Sequence, residues 1–402
     1  MIAINCHAAS LNNSQRQCFA FSSELPGFPL TLQTDVRDVN RIDEVFIGDD
    51  QMYDCAKDLV AYHNEKVALS KLQQDEMRDR RDSNRKRLKK GLVKEDKPEP
   101  KTFQTQGSYA MHTMTQHDES NYDIDDAAIF RKADLKGSQG ADMTSLDARK
   151  MVRDALDDGS FKTAPKLHTN CVRVHYNVGY QVDIPVYRDV IISGEGTDNE
   201  NVTRELASSD WKSSDADQVT NWFRRQVIEK SQDSTNGRQL RRITKLIKKF
   251  ANSRSSWESK TPSGFVITTL VDERYSGYSD REDKSLHTTM KAIRDRLNNS
   301  LTVYNPVTPS ETIAGADDAG CKFLRDRLTD ALDWMEPLFD DECDRTQALK
   351  CWDKVYNITY FSDRDNSGAT SEDASAKSSV SDFLASHVAP NVVRKEGGGR
   401  FA

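Results

Sequence analysis

Apolar side chains recur along this chain with two different spacings, and the change between them divides it. In "YQVDIPVY", Val182, Ile184 and Val186 alternate with Gln181, Asp183 and Pro185, the period of a half-buried strand. Residues 122–130 and the run "NCVRVHYN" have the same β-branched and aromatic character and predict two further strands. Between them "SLDARKMVRDALDDG" places Leu146, Met151, Val152 and Leu156 at helical spacing, with Gly159 as the stop. Beyond residue 215 the spacing becomes helical throughout. Val219, Trp222, Phe223 and Val227 form one stripe, and Leu240, Ile243, Leu246, Ile247 and Phe250 form another. Residues 41–92 read as one or two long polar helices, ended by Gly91 and by the Pro98/Pro100 pair. After about residue 362, "SDRDNSGATSEDASAKSSVS" has almost no large apolar side chain and predicts a mobile tether.

Composition narrows the class. With 402 residues, 36% hydrophobic and 30% charged, the chain can bury one large core or two moderate ones. It contains no run of about 18 apolar residues and no secretory leader pattern, so the expectation is a cytoplasmic protein with no membrane partner. Seven scattered cysteines without a CxxC pair read as reduced thiols rather than a disulfide frame or zinc cluster. A net charge of −7 argues against a general nucleic-acid coat. It leaves two basic islands, "MRDRRDSNRKRLKKG" (77–91) and "RQLRRITKLIKK" (238–249), as either a local groove or a solvated face.

The chemistry centres on "GSYAMHTMTQHDESNYDIDD" (107–126). Three aspartates crowd an apolar run, Ala127 to Phe130, and a carboxylate near a core is costly without a cation or a metal. On a strand, Asp123 and Asp125 share one face while Ile124 points into the packing. Two carboxylates so fixed can bridge a pair of Mg²⁺ ions roughly 3.5–4 Å apart, the arrangement used in phosphoryl and nucleotidyl transfer. Asp183, on the polar face of "YQVDIPVY", is the candidate third ligand. Gly107 and Ser108, with fourteen residues between them and Asp123, suit a turn whose backbone N–H groups and hydroxyl approach the phosphates of a nucleoside triphosphate.

With these residues in order, roughly residues 100–275 resemble a known family. "TQGSYAMHTM" with "YDIDDAAIF", "QVDIPVY", "DWKSSDADQVTNWF", a basic helix and "TPSGF" are similar to the bacterial cGAS/DncV-like nucleotidyltransferases (CD-NTases), DncV branch. The resemblance implies a mixed α+β fold: a polymerase-β-like nucleotidyltransferase core, a helical domain of the poly(A) polymerase and oligoadenylate synthetase type, and an active site in the cleft between them. The expected division is 1–210 for the core with its N-terminal helices, 211–361 for the helical domain and 362–402 for the tether and tail.

Such enzymes join nucleoside triphosphates into cyclic oligonucleotides, such as cyclic GMP-AMP, and serve anti-phage (CBASS) operons. Carried over to this chain, Asp123, Asp125 and Asp183 would hold two Mg²⁺ ions, or Mn²⁺, and would be catalytic. Gln106, Gly107 and Ser108 would hold the donor ATP or GTP, and Lys248, with Lys245 as second choice, and Ser263 would meet its phosphates. Arg173 matches a basic position near the acceptor. Where the family has an aromatic shortly after the Gly-Ser pair, this chain has Met111 and His112, which alters base stacking. No zinc insertion of the animal DNA sensor is present among the eight histidines, so no DNA activator is expected. The ending "KEGGGRFA" resembles tails that E1/E2-like ligases conjugate, which would make Ala402 the joined residue. Two other classes use the same residues: a linear-chain RNA- or tRNA-tailing nucleotidyltransferase, and a non-catalytic relative.

Overall fold

The computed structural model describes residues 52–366, apart from the short stretches 118–121, 138, 177–178, 195, 197–200 and 215. The expectations for residues 41–51 and for the tail, Ala402 included, lie outside the described residues. The chain runs from α1 (Ala56–Tyr62) through a π-helical turn (His63–Val67) into α2 (Lys71–Lys94). Then come β1 (Thr102–Gln106), the one-turn helix α3 (Gly107–Ala110), β2 (Tyr122–Arg131) and α4 (Ser145–Leu156). Strands β3 (Lys166–Leu167), β4 (Val172–His175), β5 (Tyr180–Ile184), β6 (Val186–Ser193), β7 (Asn201–Ala207) and β8 (Trp211–Ser213) follow.

These eight strands make one mixed sheet built around β2. The single run expected in "YQVDIPVY" is two strands, because Pro185 has no N–H to give to a ladder. Both pieces keep one register against β2: Asp183 lies opposite Asp125 in a parallel pair, and Val186 lies opposite Ala128. On the other side of the ladder Gln106 of β1 is the antiparallel partner of Asp125, and Arg173 of β4 is that of Asp183. A single row therefore crosses four strands in the order Gln106, Asp125, Asp183, Arg173.

Helices α2 and α4 pack on the sheet, with Ile124, Ala128 and Phe130 of β2 buried beneath them. Ser70 opens α2 with a reciprocal cap, its hydroxyl accepting from Gln73 N–H and its own N–H donating to the Gln73 side chain. The helix does not stop at Gly91 as its sequence suggests. It continues to Lys94, and Gly91 is where α2 meets α4: a Cβ there would overlap the Ala155 carbonyl. On α4 the stripe is also displaced from expectation, with Leu146 exposed and Ala148, Met151, Val152, Ala155 and Leu156 buried.

The second half is helical: α5 (Ala216–Lys230), α6 (Gln239–Ala251), α7 (Gly264–Arg274), α8 (Glu282–Asn299), a small hairpin of β9 (Val303–Tyr304) and β10 (Thr312–Ala314), α9 (Ala319–Met335), α10 (Arg345–Tyr356) and α11 (Tyr360–Asn366). Helix α6 is its axis. Leu240, Ile243, Leu246, Ile247 and Phe250 are fully buried, each contributing about 1.5–3 kcal/mol. Arg242 of α6 is buried as well, and is stabilised by Glu282 at 2.8 Å and Asp233 at 2.6 Å. Met52, Leu59, Tyr62 and Val67 join this helical core, so α1 packs with the second half of the chain rather than with the sheet. Residues 362–366, where the tether is expected to begin, are helical, and the rest of that expectation lies outside the described residues. Asp353 accepts from the N–H groups of Phe361 and Ser362, and Arg364 pairs with Glu65 at 2.8 Å, which carries helical order to Asn366. Among the described residues no helix is long and apolar enough to cross a membrane.

Gly91→Ala separates two effects. Helix propensity alone would stabilise by about 1 kcal/mol, whereas overlap with Ala155 is expected to destabilise by roughly 1–3 kcal/mol. Urea unfolding of the variant decides, and a gain in stability would mean that α2 and α4 are not in tight contact there.

Candidate active site in the cleft

The sheet hands the cleft a set of aspartates that are not equivalent. Asp126 points to the side of β2 opposite Asp125 and is met by Arg85 of α2, whose Nε and Nη2 donate to its two oxygens at 2.7 and 2.6 Å. Arg85 belongs to the first basic island, so part of that island faces inward and is paired. Asp183 is likewise held in a fork by Arg173, at 2.7 Å on each oxygen. Asp123 and Asp125 have no hydrogen bond and no ion pair among the described residues. Burial, and then the charges of Asp183 and Asp123, push the Asp125 carboxyl up to about 7. Burial also raises Asp123, with Arg173 pulling the other way.

Gly107 is fixed by the same carboxylate. Its φ is +66°, and a Cβ at this position would overlap Asp125 Oδ2, so the first residue of α3 lies directly against the acid and must be glycine. Gln106, one residue earlier, has its buried side-chain oxygen without a partner among the described residues.

A cavity of about 490 Å³ opens here. Gln106, Gly107, Ser108, Asp123, Asp125 and Lys248 line it, so six of the nine residues expected from the sequence share one space. Asp183 lies behind Asp125 and Arg173 beyond it, outside the lining. Ser263 caps α7, accepting from Val266 N–H, while its neighbours Gly264 and Phe265 line the wall. Lys248 is buried and donates to Thr113 Oγ1 at 3.0 Å. With no carboxylate beside it, burial and the charge of Lys245 hold its Nζ down to about 7. Lys245 is half-buried rather than on a solvated face, and does not line the cavity.

Sequence reasoning missed the far wall. Lys212 and Gln218 come from β8 and α5, and Asn305, Thr308 and Glu311 from the β9–β10 hairpin. Lys212 and Glu311 pair at 3.4 Å across the space between β8 and the hairpin. "VYNPVTPSETIA" carries no motif that marks it, and only its position in space brings it to the cleft.

The helical half also grips the loop that follows the Gly-Ser turn. Arg224 donates to Ala110 O at 3.2 Å, Arg241 to Met111 O at 3.2 Å and Lys249 to Gln116 O at 3.1 Å, beside the Lys248–Thr113 bond.

Whether the acids suit a divalent metal is a question of donors and charge. The set is oxygen only, as suits Mg²⁺ or Mn²⁺, and the Asp125 carboxyl, raised first by burial and then by its acidic neighbours, is a charge that a divalent cation would compensate. Among the described residues no three acidic, histidine or cysteine side chains form a ready-made cage, and the Asp183 carboxylate is paired with Arg173. The residues fit, with Asp123 and Asp125 as the open pair.

A mixed sheet presenting these acids, with a helical lobe closing over them, defines the class: this is a nucleotidyltransferase fold with a polymerase-β-like core. More narrowly, residues 101–187 match the family described as "Cyclic GMP-AMP synthase DncV-like, nucleotidyltransferase domain". A cyclic GMP-AMP synthase of Escherichia albertii is 26% identical over 230 residues, 54% of this chain and 47% of that protein, so the match spans about half the length of the curated relative. Among solved structures, Escherichia coli DncV in its 3′-deoxy GTP bound form is similar with a TM-score of 0.57 at 15% identity, covering 76% of this chain and 96% of that one. Bradyrhizobium diazoefficiens CdnG in complex with GTP gives 0.57 at 14% identity over 78% and 98%. Escherichia coli MS115-1 CdnC with ATP gives 0.55 at 16% over 76% and 98%.

The raised Asp125 carboxyl sets a pH test. Its folded value lies above the unfolded one, so its contribution to stability is complete below about pH 4 and is lost as pH climbs to about 7. In metal-free buffer Asp125→Asn is expected to stabilise the protein at pH 8 by roughly 1–3 kcal/mol, discounted for partial exposure, and to change little at pH 4. Added Mg²⁺ should raise the Tm of the parent protein and not that of the variant. Equal responses to Mg²⁺ would remove Asp125 from the ligand set.

Proposed function

We propose that this chain joins nucleoside triphosphates into a cyclic oligonucleotide, of the cyclic GMP-AMP kind, by divalent-metal-dependent nucleotidyl transfer. The observation that carries the reading is a pair of opposite, uncompensated charges in one cavity: Asp123 and Asp125 on the sheet wall, and buried Lys248 on the helical wall. A metal–triphosphate complex is the natural complement, supplying a cation to the first and an anion to the second.

Asp123 and Asp125, joined by Asp183, would hold the metal, which supplies charge neutralisation at the phosphates and acidifies the attacking hydroxyl. Gly107, lacking a side chain, lets the α-phosphate approach the carboxylates, and Ser108 and the Lys248 ammonium bind the phosphates that leave. The acceptor ribose hydroxyl forms the new bond to the α-phosphorus while the bond to pyrophosphate breaks, and a second such transfer on the linear product closes the ring. Arg173 neutralises Asp183 until an acceptor arrives and draws the guanidinium to itself. The anti-phage role follows from the same resemblance and is part of the proposal.

Incubation with four labelled triphosphates and Mg²⁺ or Mn²⁺, followed by phosphatase, should leave a resistant cyclic product, identified by mass. Asp123→Asn with Asp125→Asn should fold normally and lose at least about a thousandfold in rate, the scale of removing the main electrostatic element. If that variant still joins ATP and GTP, the metal assignment fails. Extension of an added RNA primer without a resistant product would instead identify a tailing enzyme.

A further inference from the structure

Helix α6 treats its two charged sides differently. Arg242 has Glu282 and Asp233. One residue earlier, Arg241 makes hydrogen bonds only to the carbonyls of Met111 and Gly237, and Lys245, one turn on, has no hydrogen bond or ion pair among the described residues. Both are half-buried. Arg224 of α5 reaches the neighbouring carbonyl, Ala110 O, so its guanidinium and that of Arg241 lie on adjacent peptides at the end of α3. His112, next in sequence, is exposed and sits within the field of all three.

No carboxylate among the described residues pairs with any of the four. The groups respond as unscreened cations do. Burial, then Arg241 and Arg242, hold Lys245 down to about 8, and Arg241 is itself lowered by burial, Arg224 and Arg238. Arg224 has five N–H donors and spends one on a carbonyl. Such a concentration of forked donors and positive charge, open to solvent on one side, is what binds an oxyanion of several charges.

We propose that His112, Arg224, Arg241 and Lys245 form a second anion site, for a di- or triphosphate group, separate from the nucleotide cleft. Arg241 lies seven residues from Lys248, about 10 Å along the helix axis, and none of the four lines the cavity. The site does not depend on the catalytic reading. Because Arg224 and Arg241 also hold the carbonyls that end α3, a phosphate bound there stiffens the segment that begins with Gly107 and Ser108.

Calorimetric titration of the full chain with inorganic pyrophosphate, in the presence of EDTA, tests this. The parent protein should bind two equivalents, one in each site. Lys248→Gln should lose the cleft equivalent and keep the other. Lys245→Gln removes a charge without breaking a hydrogen bond, and should weaken the second equivalent about tenfold or more while the cleft equivalent is retained, its Lys248 ammonium relieved of one neighbouring charge. Arg241→Gln/Lys245→Gln should abolish the second, with the melting curve reporting that the chain is folded. Two unchanged equivalents in the double variant would overturn the proposal, as would loss of all binding in Lys248→Gln. In Lys248→Gln, displacement of pyrophosphate by ATP assigns the site to the tail of a nucleotide, and failure of ATP to displace assigns it to free polyphosphate; either supports the site. Absence of cyclic product from the parent protein would defeat the catalytic reading and leave this titration unaffected.

Discussion

Two carboxylates without partners organise this molecule. Four aspartates sit on neighbouring strands at the centre of the sheet, and their environments split them: Arg85 neutralises Asp126, Arg173 neutralises Asp183, and Asp123 and Asp125 receive nothing. A protein seldom leaves an acid uncompensated at the edge of its core. Here the surrounding structure over-determines the arrangement, since β2 is paired on both sides and its apolar residues are locked under α2 and α4. The packing of Ile124, Ala128 and Phe130 offsets the cost of holding Asp125 against its neighbours.

The helical lobe answers with cations. Arg224, Arg241, Lys248 and Lys249 each bond to the segment 110–116. The loop carrying the Gly-Ser turn thereby lies against Asp125 at its start and is held along its course by α5 and α6. The cleft lies between an acidic wall and a basic one, and neither wall satisfies the other within the protein. Binding of a charged ligand then recovers energy that folding left unclaimed, which is preorganisation in electrostatic form.

Much of this was legible in the chain because it depends on short range. The two-residue spacing puts Asp123 and Asp125 on one face whatever the sheet does, and the stripe of Leu240, Ile243, Leu246, Ile247 and Phe250 specifies a core helix. Local signals failed where a distant neighbour intervened. Gly91 looks like a helix stop and is a contact with Ala155; Leu146 fits the stripe of α4 and faces solvent; Lys245 looks solvated and is half-buried beside other cations. The hairpin residues Asn305, Thr308 and Glu311 gave no signal at all, because what makes them part of the cleft is proximity to β8 and α7.

By itself, the sequence determined which residues could do chemistry and on which face of a strand or helix each would stand, since periodicity and side-chain type are local properties. Tertiary structure alone decided which charges are cancelled. Pairing of β2 with β5 set Asp183 beside Asp125, the crossing of α2 delivered Arg85 to Asp126, and the packing of α6 buried Lys248 away from any acid. Coulomb interactions depend on distance through space, and distance through space is what a linear order of residues does not contain.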